Sequence, residues 1–124
     1  MRTAKNYNNA IDWFRFLSGE EDVELALRHC MPAVESIQAK TLTSRFRVDA
    51  IPQLYYAAAT LAFYHYVLSK TEAEPTSVDA GDLTIRLENK KILENARELL
   101  ETAFAAAKPF MKSGSVFKSV GGQG

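Results

Sequence analysis

Apolar residues recur at three- and four-residue spacing in four separate stretches of this chain, and the pattern predicts four helices. The first covers residues 9–17, where Ala10, Trp13, Phe14 and Leu17 share a face. Ser18 then opens a capping-box pattern, with Glu21 three residues on and Glu20, Glu21 and Asp22 placing negative charge in the first turn of a second helix. Val23, Leu27, Cys30, Val34 and Ile37 form the apolar face of that helix, widened by Leu25, Ala26 and Ala33. Pro32 falls inside the pattern and predicts a kink or break near His29 to Met31.

Residues 41–47 are polar and partly β-branched, so they read as a loop. Asp49 is placed to cap a third helix, with Pro52 in its first turn, where a missing N–H costs little. That helix runs to about Ser69, and it differs from the other three. Ile51, Leu54, Tyr55, Ala58, Leu61, Ala62, His65 and Tyr66 line one side, while Phe63, Tyr64 and Val67 leave the other side apolar too. A helix apolar nearly all round must be covered by a core or by a neighbouring subunit.

Residues 71–82 read as a linker broken by Pro75 and Gly81. Leu83, Thr84 and Ile85 alternate, as in a short strand. The last helix is expected over residues 89–108, with Ile92, Leu93, Ala96, Leu99, Leu100, Ala103, Phe104 and Ala107 as its stripe and Pro109 as its stop. These elements make an all-α fold. It is a small bundle of about four helices, with a candidate short strand or hairpin before the last helix and a flexible C-terminal tail. The helical domain is expected over residues 1–109 and the tail over 110–124.

Composition narrows the class. The 124 residues suit one domain, with 47% hydrophobic and 24% charged residues. Fifteen basic residues balance fifteen acidic ones, so charge calls for neither nucleic acid nor an anionic membrane as partner. Residues 50–68 carry no formal charge and approach the length of a membrane span. Pro52, Gln53, Thr60, His65 and the tyrosines argue for burial in protein instead. The N-terminal residues MRTAKNYNNA lack the apolar core of a signal peptide, and Cys30 has no second cysteine to pair with.

Candidate chemistry is sparse. A zinc site needs three or four ligands, and the chain offers His29, Cys30 and His65 with no Cys-x-x-Cys or His-Glu-x-x-His. A surface His29, a packed Cys30 and a hydrogen-bonded core His65 are the expectation. Neighbouring residues on a helix point about 100° apart, so His29 is badly placed to activate Cys30. The carboxylates at Glu20, Glu21, Asp22 and Glu24 suit a helix start, and Glu94, Glu98 and Glu101 suit a solvated face. No catalytic residue, metal or cofactor is expected. The aromatic run of Tyr55, Tyr56, Phe63, Tyr64 and Tyr66 suits a core or a subunit interface better than base stacking, which goes with a basic groove. Tyr56, Phe63, Tyr64, Val67, Phe110, Val116 and Phe117 are the candidate interface residues, the last three from a tail that carries hydrophobics and lysines but no acid.

The order of these elements resembles the small head-to-tail connector, or head completion, proteins of tailed bacteriophages and prophages. The likeness lies in an alanine-rich helix, LYYAAATLAFYHYVLS, then a polar linker, then Asp79-Ala80-Gly81-Asp82-Leu83-Thr84-Ile85, a long amphipathic helix and a short hydrophobic tail. It covers roughly residues 51–117. The resemblance implies a non-enzymatic helical subunit in a ring of about a dozen copies, docked beneath the portal protein and contacting a tail-side completion protein. DNA would pass through the channel without sequence-specific binding, at the head–tail junction of the virion, after assembly in the bacterial cytoplasm. The alternatives are a helical adaptor or regulatory domain unrelated to phages, and an enzyme using His65 among the tyrosines.

Overall fold

The computed structural model describes residues 7–72 and 80–112. Among the described residues, four helices carry the fold: α1 (Asn8–Ser18), α2 (Val23–Ala39), α3 (Pro52–Glu72) and α4 (Ala80–Ala107). Short 3₁₀ turns at Val48–Ala50 and Lys108–Phe110 join them to the connecting segments. The all-α reading holds. The candidate strand does not, because Leu83, Thr84 and Ile85 lie inside α4, which starts at Ala80 rather than 89. Leucine and isoleucine fit a helix as readily as a strand, and three alternating residues are too few to separate the two periods.

α3 is the centre of the bundle. It packs most extensively against α4, and also against α2, α1 and the Val48–Ala50 turn. Leu54, Ala57, Ala58, Ala59, Leu61 and Ala62 are all buried, so alanine faces inward on several sides. Side chains this small let the surrounding helices approach closely. The all-round apolarity of this helix is therefore satisfied within one chain and needs no neighbouring subunit. Tyr64 and Val67, expected at an interface, are 3% and 7% exposed and belong to this core.

The α1–α2 corner is built differently from the capping box expected at Ser18. Ser18 closes α1: its hydroxyl donates to the carbonyl of Phe14 at 2.7 Å and accepts from the N–H of Glu20 at 3.1 Å. Gly19 follows with φ of 76°, the left-handed C-cap that glycine adopts without a Cβ penalty. Arg15 holds the turn by donating to the carbonyls of Glu20 and Glu21, each at 3.1 Å. The N-cap of α2 is Asp22, whose carboxylate accepts from the N–H groups of Glu24 and Leu25. α2 then runs unbroken through Pro32, which is exposed on its outer side. Ala26, Cys30, Ala33, Val34 and Ile37 form its buried stripe.

At the other end of the bundle, the side chain of Gln38 organises the loop after α2. Its Nε2 donates to the Thr41 hydroxyl at 3.2 Å and the Phe46 carbonyl at 2.9 Å, while its Oε1 accepts from the N–H of Val48 at 3.0 Å. Three polar groups of a partly buried loop are thereby satisfied by one amide. Asp49, expected to cap α3, caps α1 instead, accepting from the N–H groups of Asn9 and Ala10. Ile51 supplies the carbonyl that the first turn of α3 needs, from extended backbone suited to a residue before proline.

The stripe of α4 is Ala96, Leu100, Ala103 and Ala107, flanked by half-buried Leu93 and Phe104. Ile92, expected in that stripe, is 46% exposed. The boundary placed after residue 109 also moves. Leu42 donates its N–H to the Phe110 carbonyl and Lys112 donates to the Lys40 carbonyl, each at 2.8 Å, forming an antiparallel bridge between Thr41 and Met111. Met111 is buried, and the Phe110 ring meets Phe46 edge-on at 5.4 Å. Residues 110–112 are thus part of the domain, while the rest of the expected tail, with Val116 and Phe117, lies outside the described residues.

Candidate interaction surface

α1 carries more large apolar side chains than an eleven-residue helix can bury on one face. Ala10, Ile11 and Phe14 point into the core. Trp13 and Phe16 are left over, 39% and 77% exposed. Their rings meet edge-on with centroids 5.6 Å apart, and Trp13 makes a second edge-on contact with Tyr56 of α3 at 4.9 Å. This geometry suits the ring quadrupoles and holds Trp13 in place. Asp12, Trp13 and Phe16 line a shallow cleft of about 240 Å³, apolar except for one carboxylate. A solvent-exposed aromatic ridge fixed by its own ring contacts resembles the centre of a protein–protein interface.

Of the interface residues expected from sequence, Tyr56 is the one that joins this ridge. Phe63 is half-buried and packs against the core. Phe110 is engaged with Phe46. Trp13 was expected on the buried face, and Phe16 was not singled out. The available signal was numerical: Trp13, Phe14, Phe16 and Leu17 within five residues cannot all face one way on a helix.

The two histidines occupy the reverse of their expected positions. His29 is half-buried, stacked on Phe14 at 5.6 Å and edge-on to Tyr66 at 5.2 Å. Burial pushes its pKa below the ordinary histidine value, and the nearby Glu20 carboxylate partly offsets this. Tyr66 donates its hydroxyl to Glu20 at 3.2 Å and lies under the Lys70 ammonium, 4.8 Å from its ring. His65 presents surface to solvent, yet its surroundings crowd it enough to lower its pKa, with a further push from His29. The cluster joins α1, α2 and α3 through ring contacts and buries no charge of its own.

Cys30 is fully buried, and desolvation lifts its thiol to about 12. A thiol held in that state is a packing group and not a nucleophile. Among the described residues, no group of three or more histidine, cysteine or acidic side chains is placed to hold a metal ion. No helix among the described residues is long and apolar enough to cross a membrane.

A larger cleft of about 550 Å³ opens near the loop after α2, lined by Tyr7, Glu35, Gln38, Arg47 and Asp49 among others. Its polar groups are largely spent on the fold. Tyr7 donates to Glu35 at 3.1 Å, Gln38 holds the loop, and Asp49 caps α1.

No family model matches the chain, and neither does any curated protein or solved structure. The aromatic ridge on α1 is therefore the feature from which a function has to be argued.

Proposed function

We propose that this protein is a structural subunit of a phage or prophage head–tail connector, assembling with copies of itself and with a portal protein to extend the DNA channel. The observation that carries the reading is the ridge of Trp13 and Phe16, braced by Tyr56. Aromatic side chains held rigid at a surface lose little entropy when a partner covers them, which is the property of interface anchors. The order of elements supports the reading: a buried alanine-rich helix followed by a long helix that opens with Ala80-Gly81-Asp82 resembles the connector proteins.

In this reading the chain has no catalytic role and no cofactor. Copies meet head-to-tail in a ring of about a dozen, the arrangement that closes when one surface patch binds a different patch on the next copy. The ring sits at the head–tail junction between portal and tail-side completion protein, and its balanced charge lets DNA pass without sequence-specific contacts. Native mass by light scattering, over a range of concentrations and with the portal protein of the same phage or prophage, tests it. A discrete ring-sized species, alone or on the portal, is expected. A monomer under every condition, with no portal binding, contradicts it.

A further inference from the structure

We infer that the cleft of Asp12, Trp13 and Phe16 receives residues 113–124 of a neighbouring copy, with Phe117 seated against Phe16 and Lys118 facing Asp12. The inference rests on the assembly reading above and specifies which two parts of the chain meet.

Three observations support it. The first is chemical. The cleft is apolar with one carboxylate, and residues 113–124 carry Val116, Phe117 and Val120 with Lys118 as their one charged side chain. An apolar anchor beside a single opposite charge on each partner gives both burial and register. The second is position. α4, which leads into this segment, packs chiefly on α3, and the chain is tied to Lys40 at Lys112, next to the C-terminal end of α2. Among the described residues, α1 contacts α2, α3 and the Val48–Ala50 turn and has no comparable contact with α4. The cleft on α1 and Lys112, the last described residue, thus belong to different parts of the subunit, the relation a head-to-tail contact requires. The third is length. Phe117 lies five residues beyond the anchored Lys112 and reaches at most roughly 18 Å from it, enough to cross a subunit boundary and too short to wrap a neighbour.

Trp13 is the only tryptophan, so fluorescence excited selectively in tryptophan, and not in the five tyrosines, reads this cleft alone. The test adds a synthetic peptide of residues 110–124 to the full-length chain and follows Trp13 emission. A saturable shift to shorter wavelength is expected. A peptide carrying Phe117→Ser binds about tenfold more weakly or worse, the loss that follows from removing one buried aromatic anchor. The full chain carrying Phe16→Ser, at a position 77% exposed, weakens binding of the unchanged peptide similarly, with unchanged helical circular dichroism.

No shift with either peptide, or equal binding of both, overturns the inference. So does emission that is already at short wavelength at high dilution and reddens in the full chain carrying Phe117→Ser, because the chain's own segment then fills its own cleft. Native mass separates this from the assembly reading. Ring-sized species without peptide binding remove the segment's role and leave assembly standing. Peptide binding by a chain that stays monomeric even with portal protein removes both.

Discussion

Asp49 caps α1 from forty residues beyond Asn9: its carboxylate accepts the N–H of Asn9 at 3.1 Å, and its carbonyl accepts from the Asn9 carboxamide at 2.7 Å. These two bonds, both donated by Asn9, pin the start of α1 to the turn that precedes α3. They thereby set the angle at which Phe14 enters the core and Trp13 meets Tyr56. Burial raises the Asp49 carboxyl above its usual range, and the N–H groups of Ala10 and Asn9 partly offset that. Asp49→Ala is expected to cost about 1 kcal/mol, the usual value of a lost N-cap. Asp49→Asn, which keeps one acceptor oxygen, is expected to cost less. Urea unfolding of the three proteins checks the order.

Gly19 gives a second, cleaner measurement. A Cβ built there meets nothing within 4 Å, so Gly19→Ala adds no clash. The backbone still sits at φ of 76°, and the left-handed conformation alone is expected to cost roughly 1–2 kcal/mol. A loss much below this in denaturant unfolding means the α1–α2 corner adapts. A loss well above it means the corner does more than end a helix.

The histidine cluster predicts a pH dependence of stability. Both His29 and His65 have lowered pKa values in the folded chain, mainly through burial; the Glu20 carboxylate partly offsets this at His29, and the His29 charge adds to it at His65. The unfolded chain therefore binds more protons than the folded one between those lowered values and the ordinary value of about 6.5. Stability is full above that range and falls as the pH drops through it. The melting temperature is expected to decline as the pH falls below the ordinary histidine value of about 6.5, and less steeply in His29→Gln. An identical decline in that variant assigns the effect to other groups.

Cys30 supplies a probe of the core. With no exposure and its thiol raised to about 12, it is expected to resist a thiol-reactive dye in the native protein and to react on unfolding. Labelling at the rate of a free thiol under native conditions contradicts the packing of α2 against α3.

Much of the fold was legible because periodicity is local. α1, α2 and α3 fall where the three- and four-residue spacings place them, and α4 continues upstream of its expected start. The misplaced features depend on partners distant in sequence. Asp49 stands three residues before Pro52, an apparent cap for α3, and nothing nearby shows that its carboxylate serves Asn9. Tyr64 and Val67 looked surplus to one helical face because the sequence does not show that α3 is surrounded by α1, α2 and α4. The candidate surface was legible only in part. Tyr56 was identified, but Trp13 and Phe16 were not, since the apolar pattern of α1 gives no sign of which aromatic is left outside once Phe14 is buried.

The central claim is that the ridge on α1 holds an assembly together, and the most direct measurement compares the native mass of the protein with that of its Phe16→Ser variant, each with portal protein at matched concentrations. The account predicts a ring-sized species for the unaltered chain and a monomer for the variant, with the same helical circular dichroism and melting temperature for both. Equal assembly by the two proteins would contradict it.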